Sequence, residues 1–290
     1  MPREVNQDFD ISIHYSGEIT DSHKLGLRTY ANTLKHFSAA VDRAILSESR
    51  GNIHKFARIT HDEREDLEFT VLDPEDGGII LKFLSSRNNQ LARRVAERMA
   101  NYIKEAYNQE PQASITPKQI REKIADLQQQ EEIEANAPPE ADNDFAKKAI
   151  CREVNSILSE IRTEAAGQSW LEFELKTPEP GRVERFHFDR AKAERFNQVV
   201  MRRNIVGPYR YTIRVRGLDL VNEKKPYAKC LDVTSGISRT VYFKDEEDLQ
   251  KLRDYLSGDD AVMVSVIGFS ITEFGVVDNL AGDIHFIDVA

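Results

Sequence analysis

Residues 9–15 alternate apolar and polar side chains, a two-residue period that predicts a half-buried strand with Phe9, Ile11, Ile13 and Tyr15 on one face. Gly17 permits a turn, and Asp21 or Ser22 is placed to cap a long helix. Along that helix Leu27, Tyr30, Ala31, Leu34, Phe37, Val41, Ala44 and Ile45 recur at spacings of three and four, ending before Gly51. Apolar runs at 53–59, 67–72 and 79–84 read as two or three antiparallel strands, with residues 73–78 as the turn joining the last two. An amphipathic helix over 87–109 follows, carrying Leu91, Val95, Met99 and Ile103 in one stripe.

The texture changes between 110 and 142. Pro117 opens a polar helix in which Ile120, Ile124, Leu127 and Ile133 stand among Gln and Glu, and Ala137, Pro138, Pro139 and Glu140 break it. A further helix over 143–166 ends at Gly167. These segments read as a connector that either packs onto its own domain or offers a surface to a partner helix. The remainder is strand-rich: 170–175, 185–188, a helix over 189–203, a long strand over 209–221, then 227–233, 238–243, a helix over 245–256, and strands at 261–269 and 282–289. The fold class expected is α+β: an N-terminal small antiparallel sheet with two long helices (1–110), a helical connector (111–168), and a β-rich C-terminal domain (169–290) ending in a small barrel over about 208–290.

The order in 208–290, a long first strand, two more strands, a helix and two final strands with Gly217, Gly236, Gly258 and Gly268 at the bends, resembles an OB-fold. SH3-like and other small barrels give a similar string. The OB resemblance implies a face that holds single-stranded nucleic acid or a protein partner. Through the strand and helix of residues 11–45 and the hairpin at Asp76, Gly77 and Gly78, the chain also resembles uncharacterised bacterial proteins of mobile-element and phage-defence neighbourhoods, which implies a place in a multi-protein system.

An apolar share of 40% fills cores of this size, so disorder is not expected. No window reaches the roughly 20 uncharged apolar residues of a membrane span, and residues 1–8 hold no apolar leader, so a cytoplasmic location without membrane attachment is expected. Cys151 and Cys230 stand far apart, which argues against a disulfide framework and a cysteine zinc site. The seven histidines, His14, His23, His36, His54, His61, His187 and His285, contain no pair at metal-binding helical spacing. Phosphate-loop, dinucleotide and serine-hydrolase signatures are missing as well. Glu174, Leu175 and Lys176 supply half of a metal-nuclease pattern whose other half is absent. The acidic run 62–66, interrupted by Arg64, reads as a solvated hairpin turn. No cofactor is expected and no catalytic residue stands out.

Charge narrows the choice. The chain carries −9, yet residues 182–225 hold twelve Lys or Arg against five acids, a net of +7 that leaves −16 elsewhere. Strict alternation along 209–216 puts Tyr211, Ile213 and Val215 on one face and Arg210, Thr212, Arg214 and Arg216 on the other, a row of cations about 6–7 Å apart. Tyr227, Lys229, Arg239, Tyr242 and Lys244 on neighbouring strands add stacking and charge. The bland account is that these cations pair with acids such as Glu223 and Asp245, or keep a strand edge soluble. The first expectation is a non-catalytic adaptor that binds a protein partner. A single-stranded nucleic-acid binder using the arginine row is the alternative, and an enzyme with an unfamiliar site the third.

Overall fold

In the computed structural model, residues 9–51, 53, 57–72, 79–85, 87–130, 132–138, 145–219, 226–236, 238–256, 262–277 and 284–290 are described. In chain order the elements are β1 (Ile11–Ser16), α1 (Leu27–Arg50), α2 (His61–Asp66), β2 (Phe69–Val71), β3 (Ile79–Ser85), α3 (Asn89–Asn108), α4 (Pro117–Gln128), α5 (Phe145–Arg162), β4 (Trp170–Lys176), β5 (Val183–Phe188), α6 (Arg190–Val200), β6 (Arg203–Asp219), β7 (Tyr227–Asp232), β8 (Ser238–Tyr242), α7 (Glu246–Gln250), β9 (Met263–Glu273), β10 (Val276–Val277) and β11 (Ile284–Val289). The chain is mixed α+β, and no described helix is long and apolar enough to cross a membrane.

Two units emerge, and neither is continuous in sequence: one comprises 1–112 and 143–201, the other 113–142 and 202–290. The expected boundary at 168/169 is therefore displaced. Strands β4 and β5, placed by their sequence in the C-terminal domain, join the first sheet, whose order is β2-β3-β1-β4-β5. The physical reason is the apolar face of β1. Ile11, Ile13 and Tyr15, all fully buried, lie in register with Leu175, Phe173 and Leu171, so β4 completes a face that β1 and β3 cover only in part. The connector is likewise divided, α4 going to the second unit and α5 to the first.

In the first unit, helices cover that apolar face. The Tyr15 hydroxyl meets Thr33 of α1 at 2.7 Å, Phe37 of α1 stacks on Phe83 at 3.9 Å, and Tyr107 of α3 and Phe196 of α6 both contact Phe188. Helix α1 begins at Leu27, later than expected, because a 3-10 segment over Glu18–His23 intervenes. Gly17 (φ +90°) makes that entry possible, since a Cβ there would lie 2.7 Å from the Ser169 backbone. The acidic run forms helix α2, not the expected turn: Thr60 and Glu63 build a capping box, and the Arg50 hydrogen bond heads the interactions that hold the Glu63 carboxyl down at about 2. The expected hairpin turn at 73–78 lies outside the described residues.

The second unit closes a ring of pairings. Strand β6 pairs antiparallel with β7 on one side and β9 on the other, β7 with β8, and β9 with β11, while β8 and β11 run parallel. Strand β6 starts at Arg203, six residues earlier than expected, and absorbs Pro208 in a register shift between Val206 and Tyr209. Tyr211, Ile213, Val215, Ala228, Cys230, Val241, Val264, Val266, Ile284 and Phe286 fill the interior, with Leu249 and Leu252 from the α7 region. Outside the ring, Ile124 and Leu127 of α4 pack on Ile267, Phe269 and Ile287. Gly268 (opposite Phe286) lets β9 and β11 approach; a Cβ would meet Ile284 Cγ2 at 2.5 Å.

Cys151 and Cys230 are both free and buried, one in each unit, and burial pushes the Cys230 thiol up to about 12. Neither thiol is expected to react with a disulfide reagent in the folded protein, and both should react once it is unfolded. A thiol titration with and without urea checks this, and a native-state reaction would contradict the packing of that unit.

Candidate nucleic-acid interface

Along β6 the alternation holds: Tyr211, Ile213 and Val215 turn into the ring, while Arg210 and Arg216 are exposed and Arg214 is half-buried. A bulge between Val215 and Gly217 interrupts the pairing with β7 and brings Gly217 opposite Lys229. Among the described residues, Arg210, Arg214, Arg216 and Lys229 form no ion pair, and Arg214 Nε is buried without a hydrogen-bond acceptor. Glu223, Lys224 and Lys225 lie outside the described residues.

Register then brings together side chains from separate strands. Tyr227 on β7 is opposite Tyr242 on β8, with ring centroids 6.2 Å apart, and Tyr242 lies beside His285 on the parallel strand β11 at 5.6 Å. His285 in turn stacks on Phe269 at 5.1 Å, where α4 covers the ring. Three half-buried rings thus cross the outer side of β7, β8 and β11, with Lys229 one step along β7 from Tyr227. Asp219 accepts the Tyr227 hydroxyl bond and so raises that phenol above its ordinary range. His285 was not among the residues expected here. Its alternation with the buried Ile284 and Phe286 marks it as outward, but the parallel pairing with β8 sets its neighbours.

Arg239 does not belong to this face. It is opposite Cys230, nine-tenths buried, and its Nε donates to Asp232 Oδ2 at 2.9 Å while the guanidinium lies over Tyr211. The bulk of Tyr211 and the carboxylate of Asp232 make that interior position tolerable for a cation. Lys244 follows β8 and sits 4.0 Å from Asp245. The basic segment is also divided. Arg182, Arg185 and Arg195 belong to the first unit, paired respectively with Glu179 and Glu184, with Glu174, and with Glu110.

The half-motif Glu174, Leu175 and Lys176 does not assemble a metal pair. Glu174 is bound to Arg185 and Ser12, Leu175 is buried, and Lys176 lies over the Phe9 ring at 4.3 Å. In the first unit, a groove of about 720 Å³ beside α1 and β2 is lined by Phe37, Phe69 and Phe83 with Asp42, Arg64 and Arg87. No family model matches the chain, and neither a curated protein nor a solved structure does.

Proposed function

We propose that the second unit is an OB-type module whose outer face, centred on β7 and β8, binds single-stranded nucleic acid. The observation that carries this reading is the transverse row Tyr227, Tyr242 and His285, with Lys229 beside it. Aromatic rings accept any base by stacking, and nearby cations neutralise the phosphates that follow. In support of the OB assignment, the ring order is β6-β7-β8-β11-β9, with the third and last strands parallel and a helix between β8 and β9. OB-type barrels bind oligonucleotides on the face of their second and third strands, here β7 and β8.

The test is fluorescence anisotropy of labelled single-stranded oligonucleotides with wild type, Tyr227→Ala, Tyr242→Ala and the pair Arg216→Glu, Lys229→Glu. Each tyrosine truncation is expected to weaken binding by about 1–3 kcal/mol. The charge reversals should flatten the salt dependence, because fewer counterions are then released. Absence of binding at micromolar protein would overturn the reading and return the account to an adaptor, for which the Phe37, Phe69 and Phe83 groove is the place to seek a partner.

A further inference from the structure

Strand β6 is longer than its pairing with β7, and the difference leaves a stretch of edge with its own chemistry. The Phe274 amide donates to the Arg202 carbonyl at 3.0 Å, and the register continues from Arg203 opposite Glu273 to Val206 opposite Ser270. In an antiparallel ladder, bonded and non-bonded pairs alternate. Asn204 and Val206 therefore bond to β9, whereas Arg203 and Ile205 turn both backbone groups the other way. The chain itself satisfies Arg203: its amide donates to Ser114 Oγ at 3.0 Å, and its carbonyl accepts the Ile115 amide at 2.9 Å. Farther along the same edge the Arg210 amide donates to the Asn136 carbonyl at 2.8 Å, the Thr212 carbonyl accepts the Val233 amide at 2.8 Å, and β7 takes over at Ile213. Among the described residues, nothing on that side bonds to the amide or the carbonyl of Ile205.

This interruption opens into a groove of about 660 Å³ lined by Ser114, Ile115, Ile205, Val206, Thr272 and Lys123 of α4. Ile205 and Val206 are half-buried, which leaves apolar surface beside the open backbone groups. Thr272 is 5% exposed, and its hydroxyl bonds to no described group. Lys123 is exposed and forms no ion pair among the described residues. The lining thus combines a donor and an acceptor on one residue, an apolar wall, a recessed hydroxyl and a cation.

We infer that this stretch of β6 is a docking groove for an extended, acidic segment of a partner protein, which adds as a short strand at Ile205. One residue of the incoming segment accepts from the Ile205 amide and donates to its carbonyl. That is the pattern of strand addition, in which main-chain bonds give affinity and side-chain pockets give specificity. Helix α4 lies on the face of β6 that carries Ile205, whereas Val206 and Thr272 mark the other face. The partner residue opposite Ile205 shares its face, so an acidic side chain there meets Lys123, and the residues on either side turn to Val206 and Thr272. Residues 204–209 cover about 20 Å at about 3.3 Å per residue, room for a short peptide. A second copy of this chain fits less well, because Ser114 and Ile115 at one end and Asn136 at the other leave a folded sheet edge no space to extend. The groove shares no residue with the Tyr227, Tyr242 and His285 row, so the inference does not depend on the nucleic-acid reading.

The experiment uses the full chain and amide hydrogen exchange resolved to single residues. In the unliganded chain the Ile205 amide is expected to exchange about tenfold or more faster than those of Asn204 and Val206, because both neighbours donate within the β6–β9 ladder. The probes are three labelled eight-residue peptides of alternating threonine and valine, one with a central glutamate, one with a central lysine, and one with the glutamate and N-methylated backbone amides. The glutamate peptide should bind and slow exchange at Ile205, the lysine peptide should bind more weakly, and the N-methylated peptide should not bind. Lys123→Glu, an exposed substitution, should reverse the preference between the first two. Ile205→Pro removes a donor that takes no part in the ladder with β9 and should abolish binding. An Ile205 amide already protected in the unliganded chain would overturn the inference. So would binding of none of the peptides at millimolar concentration, equal binding of the N-methylated peptide, or a charge preference that Lys123→Glu leaves unchanged.

Discussion

Phe188→Ala is expected to destabilise the first unit by about 3–5 kcal/mol, the range for removing a large aromatic side chain from a packed core. Phe188 is fully buried and meets three other rings nearly at right angles: Tyr107 at 5.2 Å, Phe196 at 5.4 Å and Phe173 at 6.2 Å. Those rings come from α3, α6 and β4, so this one side chain joins elements from both sequence segments of the unit. Each edge-to-face pair adds about 0.5–1.5 kcal/mol beyond its buried area. Cys151, buried in the same unit with its thiol toward the Tyr102 carbonyl, is the reporter. Labelling in a urea series, with the label assigned by peptide mapping, should expose Cys151 at clearly lower urea in the variant. An unchanged midpoint would mean that β5 and α6 are not part of this core.

The second large effect belongs to the ion pair inside the ring. Asp232→Ala is expected to cost about 3–5 kcal/mol because it leaves the Arg239 guanidinium buried without its carboxylate. The two side chains are 2% and 8% exposed. Asp232 Oδ1 also accepts the Thr234 and Ser235 amides, so the same carboxylate shapes the turn between β7 and β8. Adding Arg239→Met to Asp232→Ala should restore much of the loss, since an apolar side chain of similar length needs no counterion. Cys230, opposite Arg239, reports the transition. Equal midpoints for wild type and Asp232→Ala would refute the buried pair.

The same carboxylate predicts a pH effect. Burial raises the Asp232 value, but hydrogen bonds from Ser235 and Arg239 outweigh it and the net shift is downward. A carboxyl lowered on folding stabilises the folded state above its unfolded value of about 3.9, and that increment disappears as pH falls through the folded value. Wild type should therefore lose stability in the second unit below about pH 4, where Asp232→Asn has no such increment to lose.

Local pattern was informative wherever one strand or helix decides the outcome. The alternation of Tyr211, Ile213 and Val215 with Arg210, Thr212 and Arg214 was readable because side-chain direction in a strand has a period of two. Pro117 at the start of α4, Asp189 capping α6 and Gly167 ending the region of α5 were readable because caps and breakers act over three or four residues. Arg239 was misplaced by the same reasoning. In a closed ring the interior accepts a charged side chain if a partner such as Asp232, seven residues away, arrives with it.

Amino-acid order by itself thus determined most of the helices and strands, though not α2 or the start of β6, which residues along β6 turn outward, and that the chain is α+β. Tertiary structure alone decided that β4 pairs with β1 across more than 150 residues, that α4 joins the second unit, and that Tyr227, Tyr242 and His285 form one row. Periodicity is a property of consecutive residues, whereas a row across strands depends on register. Register is set by which apolar faces must be covered together, and that becomes definite only when the distant segments meet.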